Sequence, residues 1–171
     1  MIVSHPRVRV LYRLLVFTFI ATCVYVFQAD ARKGVAAFVR LFAQKVVDDA
    51  LAAHPELQSL ELASTPPDKT ECVTIASNEA MEIGEKCDKD ELAALKTNEP
   101  FVKKEKEDGR ELYEAVLAIH DSTGGIIGVA GMDFKLEPHQ EQSKIAERAK
   151  QIAQELESQL TSKEKMFAPV K

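Results

Sequence analysis

Tyr113, His120 and Asp133 are the residues of this 171-residue chain whose types and settings suit contact with a small bound molecule. Tyr113 is an amphipathic side chain among apolar neighbours; His120 and Asp133 are each a polar residue at the end of an otherwise apolar run. A few convergent polar groups of this kind orient a ligand by hydrogen bonding. Bond-breaking chemistry asks for more than the chain offers. His54, His120 and His139 are scattered, with no second histidine or carboxylate on a common apolar helical face. His54 precedes Pro55 and His139 follows Pro138, which reads as two surface positions. Nothing resembles a nucleophile elbow, and no Walker or Rossmann glycine spacing occurs. Gly124-Gly125-x-x-Gly128-x-x-Gly131 lies within a hairpin with no helix after it, so it is not a phosphate cradle. The expectation is a non-catalytic protein without a cofactor.

Cys72 and Cys87 are the second chemical feature. An isolated pair in an oxidising compartment favours a disulfide. Cys72 to Ser77 reads as a strand, Asn78 to Met81 as a turn and Glu82 to Lys86 as its return. Folding about Glu79–Ala80 sets 74 opposite 85 and 72 opposite 87, near bridging distance. A slip of one residue would send the side chains to opposite faces, so a reduced pair stays open. A metal site is not expected, since the spacing lacks C-x-x-C or histidine partners.

The compartment is read from the N-terminus. Arg7, Arg9 and Arg13 precede an apolar run from Leu14 to Phe27, and Ala29-Asp30-Ala31 closes it. These are the parts of a secretory signal peptide over residues 1–31, and the run is shorter than the ~20 residues of a spanning helix. Val8 and Val10 can lengthen it, so an uncleaved anchor remains the alternative. Either way the rest is expected outside the cytoplasm, periplasmic or secreted. The segment carries three of the 22 basic and one of the 27 acidic residues, leaving 19 against 26, a net charge of −7. That balance argues against nucleic acid or anionic lipid as the main partner. No second apolar run and no output domain follows, so a sensor of this kind would report through a separate protein.

The elements that must position these residues follow from periodicity and punctuation. Gly34 to Ala53 reads as a helix, ended by His54-Pro55. Leu57, Leu60 and Leu62 open a strand that Thr65-Pro66-Pro67-Asp68 breaks. Asp88 to Lys96 is a short helix with acidic residues in its first turn. Phe101 to Glu107, Arg110 to His120 and Ile126 to Leu136 form a meander, turned by Asp108-Gly109 and by Asp121 to Gly125. Alternation puts Arg110, Leu112, Glu114, Val116, Ala118 and His120 on one face of the middle strand and Glu111, Tyr113, Ala115, Leu117 and Ile119 on the other. Pro138 starts a closing helix whose stripe of Ile145, Ala149, Ile152, Leu156 and Leu160 fits a surface helix or a coiled-coil partner.

The phrases His54-Pro55-Glu56-Leu57, Ile75-Ala76-Ser77-Asn78, Ile83-Gly84 and Asp121-x-x-Gly124-x-Ile126-Ile127-Gly128-Val129 resemble the single Cache family of extracytoplasmic PAS-like sensor domains over about residues 35–136. The resemblance implies an α+β fold: a PAS-like antiparallel sheet with a long N-terminal helix, a short inserted helix and a C-terminal helix. It implies a domain over residues 32–137, with 138–171 as a closing helix and tail. It implies a pocket between the sheet and the small helix, and a small organic ligand such as a carboxylate, which Arg110 and Lys103 could hold. Tyr113, His120 and Asp133 complete the expected ligand set. The amino-acid-binding version of the family is not matched: Ile119 and His120 precede Asp121, and the chain has no Trp. Two functions are carried forward. One is an exported sensor domain that signals through a separate signalling or membrane protein, with a homodimer through the terminal helices as one arrangement. The other is an interaction module whose pocket is filled by its own side chains and which docks through its amphipathic helices.

Overall fold

The computed structural model describes residues 40–107, 110–137 and 140–170. The signal or anchor segment, the helix start at 34–39, the turn Asp108-Gly109, the Arg110 side chain and His139 lie outside the described residues.

Alternating patterns yield five antiparallel strands: β1 Leu57–Ser64, β2 Val73–Ser77, β3 Phe101–Glu107, β4 Arg110–His120 and β5 Ile126–Lys135. Their order is β2-β1-β5-β4-β3, so the chain's third to fifth strands form the meander expected and β5 returns to pair with β1. Among the described residues four helices accompany them: α1 Phe42–Ala53, α2 Lys89–Thr97, α3 Gln142–Gln159 and α4 Lys163–Met166. This is the α+β architecture expected.

The two sheet faces have different fates. On the first, Leu60, Leu62, Tyr113, Ala115, Ile119, Ala130, Met132 and Phe134 pack against Val46 and Val47 of α1 and Ile145, Ile152 and Leu156 of α3. The period-two sets of β4 are as the alternation requires, and the odd-numbered one is the core face. The apolar stripe of α3 is buried against the sheet, with Ile152 and Leu156 at 0% exposure, so no coiled-coil partner is needed to cover it. The helix joins the same core as the strands, because burying that stripe on the sheet removes more apolar surface from water than leaving it on the outside.

Helix α1 starts at Phe42, later than periodicity suggests. Leu41 is extended and bridges Pro169, Phe42 N–H donates to the Ala168 carbonyl, and Val170 N–H donates to Arg40 O. The tail therefore takes the backbone groups that another helical turn would need. His54 is buried at 5% exposure, which corrects its reading as a surface residue. Arg148 of α3 donates to His54 Nδ1 at 2.9 Å, and His54 Nε2 donates to Glu155 at 2.8 Å. Pro55 does end the helix; the partners that allow burial come from an element far along the chain.

The β4–β5 turn uses local chemistry. Asp121 Oδ1 accepts from Thr123 N–H, Thr123 Oγ1 and Gly125 N–H, and the Thr123 hydroxyl leads the contacts that hold the Asp121 carboxyl below its usual range. Gly124 has φ +85 in open space. Gly124→Ala is expected to cost ~1 kcal/mol through the left-handed backbone alone, read as a lowered denaturation midpoint at unchanged slope.

Candidate functional site

The second sheet face is only partly covered. Its apolar end is a small cluster of Ala63, Cys72, Cys87, Ala94, Val116 and Val129, closed by α2. Cys72 and Cys87 form a disulfide, with Cα atoms 5.4 Å apart. The register is the one expected: Thr74 N–H donates to Glu85 O, Cys87 N–H donates to Cys72 O, and Val73 bridges Lys86. The return segment is turns and a single bridge rather than a strand. Immediately after Cys87, Asp88 caps α2. Its Oδ1 accepts from the N–H groups of Asp90 and Glu91 at 2.8 Å, and Glu91 Oε2 accepts from Asp88 N–H. This capping box fixes the helix start beside the disulfide.

Beyond that cluster the face is polar. Register sets Lys103 of β3 opposite Glu114 of β4, Glu114 opposite Asp133 of β5, and Asp133 opposite Ser59 of β1. One ladder row thus carries four polar side chains across four strands. In the next row Glu61 of β1 lies opposite Gly131 of β5, where a Cβ would stand 2.8 Å from Glu61 Oε1. Gly131 is therefore the space the Glu61 carboxylate occupies. These rows floor a cavity of about 280 Å³, with Glu82, Asp88 and Glu105 at its rim. Leu112, Gly131 and Met132 are its only lining residues without a polar side chain.

The electrostatics are dominated by acids. Lys103 Nζ meets Glu114 at 2.7 Å and Asp90 and Glu105 at 3.0 Å. Burial works against its charge, yet these hydrogen bonds outweigh it and raise its pKa. Asp88, Asp90 and Glu114 also have oxygens within 4.8 Å of one another, a grouping able to hold a metal ion. The Lys103 ammonium, bonded to two of the three, already supplies positive charge there. Burial, then hydrogen bonding with Glu105, pushes Glu114 up to about 7. Glu61 is pushed up to about 8, first by burial and next by the neighbouring Glu91 charge. Burial likewise raises Glu91. Hydroxyls face three of the carboxylates: Thr74 Oγ1 donates to Glu61 at 3.0 Å, Ser59 Oγ to Asp133 at 2.5 Å and Ser77 Oγ to Glu82 at 2.6 Å.

Of the residues expected to bind ligand, the cavity brings together Lys103 and Asp133. Tyr113 lies on the opposite face, in the core, with its hydroxyl donating to Gln140 O at 3.3 Å. The core-filling role explains its burial, since its ring meets α3 and not the cavity. His120 borders a second cavity of about 220 Å³ between β4 and α3. There its Nδ1 lies 2.6 Å from Glu157 and its Nε2 2.9 Å from Asn98 Oδ1. Arg110 pairs with Glu107 through the backbone. Sequence reasoning missed Glu61, Glu91 and Glu114, because a lone glutamate in a strand or helix reads as a solvated residue. The signal that could have found Glu114 was its place on the even-numbered face of β4.

No protein-family model matches the sequence, and no curated protein matches it. Solved structures are similar in fold. The second GAF domain of DevS from Mycobacterium smegmatis superposes with a TM-score of 0.50 at 14% identity, over 68% of this chain and 88% of that one. The periplasmic domain of RsbU from Chlamydia trachomatis gives 0.42 at 18% identity, over 70% and 44%. The E. coli DcuS sensor domain gives 0.42 at 15% identity, over 63% and 71%. The chain thus spans under half the length of the RsbU domain. The first of these likenesses shows a PAS/GAF-like fold.

Proposed function

We propose that this chain is an extracytoplasmic sensor domain that binds a small molecule without transforming it. The observation that carries the reading is the cavity on the second sheet face. Both core helices, α1 and α3, lie on the other face, so that side of the sheet is left for a ligand, with α2 beside it. Its volume is close to the lower end of the ~300–1,000 Å³ of small-molecule sites. The rival reading, a self-filled pocket with docking helices, has less to stand on: the cavity is open, and the stripes of α1 and α3 are spent on the core. Location outside the cytoplasm is supported by the basic-apolar start of the chain and by the Cys72–Cys87 disulfide. No helix among the described residues is long and apolar enough to cross a membrane.

The signal would leave through β1. Glu61 faces the cavity, while Leu60 and Leu62 on either side of it pack in the core with α1. A ligand that pulls on Glu61 therefore pulls on the strand under that helix, whose start is paired with the C-terminal tail. A separate protein would read that movement. The test is a thermal-shift screen of the full chain against carboxylates, amines, amino acids and purines. A ligand at ~100 times its dissociation constant stabilises the fold by ~2.7 kcal/mol, a shift of several degrees. A flat screen over a cooperative melt would sink the sensor reading.

A further inference from the structure

Strand β3 stops short of β4. Their pairing begins at Phe101 opposite Val116, while β4 runs on to His120. Carried on, the same register would set Glu99 opposite Ala118. It does not pair there: α2 ends at the left-handed Asn98, and the Glu99 N–H donates to Thr97 Oγ1 at 3.2 Å. Successive residues of a strand present their backbone groups to alternate edges. The His120 N–H leaves β4 on the β3 side, where it donates to Glu157 of α3 at 2.9 Å. Ala118, two residues earlier, turns its own N–H and C=O to that side, and no strand among the described residues pairs with it there. This open edge is one wall of the cavity of about 220 Å³. The facing wall is one side of α3, with Lys150, Ala153, Gln154 and Glu157 at helical spacing. Leu117 and Ala153 give the slot an apolar base. Helix α3 runs beside β4 in the same direction, since Gln142 reaches Val102, opposite Ala115, and Glu157 reaches His120. A cation therefore stands toward the Leu117 end of the slot and a carboxylate at the His120 end.

We infer that this slot takes a short extended peptide with free termini, whose backbone completes the ladder at Ala118. A peptide is the ligand whose own N–H and C=O match a strand edge. Running antiparallel to β4, as β3 does, it has its amino group at Glu157 and its carboxylate at Lys150. The length agrees with three residues. Lys150 and Glu157 lie two helical turns apart, ~10 Å along the axis of α3, and three extended residues span ~10 Å. A volume of about 220 Å³ limits the side chains to small ones. The slot is separate from the polar cavity on the second sheet face, with no lining residue in common, so the two readings stand independently.

The experiment is calorimetry and amide hydrogen exchange on the full chain with trialanine, and with N-acetyl-trialanine amide as the probe that lacks both charges. Trialanine is expected to bind and to slow exchange of the Ala118 N–H. The blocked peptide should bind roughly tenfold more weakly, the loss of two exposed ion pairs. Lys150→Gln should lower trialanine affinity roughly threefold, while Lys144→Gln, exposed on the same helix outside the slot, should leave it unchanged. Ala153→Leu fills the slot and should abolish binding; Lys150 is exposed, so its variant decides the matter if Ala153→Leu fails to fold. A blocked peptide that binds as tightly as the free one would overturn the free termini in favour of an internal strand of a partner protein. Trialanine binding that leaves Ala118 exchange unchanged, or that is unaffected by Lys150→Gln, would overturn the site. A folded chain that binds neither peptide would overturn the inference and leave the reading of the polar cavity untouched.

Discussion

The ligand-free domain is expected to lose stability as the pH rises from about 5 to about 8, and Glu61→Gln should remove much of that loss. Unfolded, a glutamate titrates near its ordinary value of 4.5; folded, Glu61 does so at about 8 and Glu114 at about 7. Between those limits the folded chain holds protons that the unfolded chain has released. The unfolded state then binds fewer protons, so stability falls with increasing pH. The contribution is complete below about 4.5 and disappears as the pH passes about 7 and about 8. Each group alone would supply ~1.4 kcal/mol per pH unit over its window, and water reaching the cavity reduces that to a total of roughly 2–4 kcal/mol. Glu56, Glu105, Glu111, Asp121 and Glu164 shift the other way, and their contributions fade only as the pH falls below 4.5. They leave the window above pH 5 untouched. Melting curves at unit pH steps measure this directly. A midpoint constant from pH 5 to 8 would show that Glu61 is no more buried than a surface carboxylate.

Reduction of the Cys72–Cys87 disulfide is expected to cost ~3 kcal/mol, because the bond closes a loop with a sequence separation of 15. For a domain of this size that is a drop of roughly 10 °C in the melting midpoint. The loss should be local as well as global. Cys87 immediately precedes the Asp88 cap of α2, and both cysteines pack with Ala94 of that helix. Amides of Leu92 to Leu95 should therefore exchange faster in Cys72→Ser/Cys87→Ser, while those in the middle of β4 keep their protection. Since Asp88 both caps α2 and lines the cavity, binding in the proposed ligand site should weaken with it. A double variant that melts with the parent would remove the disulfide from the account of stability.

What the sequence determined by itself is local. Alternation in Arg110 to His120 sorted that strand into its two faces, and the turn residues Asp121 and Gly124 mark where it reverses. Folding about Glu79–Ala80 made Cys72 opposite Cys87 one of two registers the sequence left open, and the structure has that one. Acidic residues at the start of α2 announced its cap.

Tertiary structure decided which of the two faces carries the cavity. Period two separates Tyr113 from Glu114, yet only the docking of α1 and α3 on the odd-numbered face makes Tyr113 core and Glu114 floor. The acidic site is assembled from residues distant in the chain. Glu61 becomes a cavity residue because β5 returns beside β1 and presents Gly131 to it, and Glu91 becomes a buried neighbour of it because α2 folds back over that face. Nothing adjacent to either glutamate distinguishes it from a solvated one, and the same holds for His54, buried by Arg148 and Glu155. Backbone preference and side-chain period act within a few residues. Burial, and with it the protonation of an acid, depends on whatever else the fold brings to the same place.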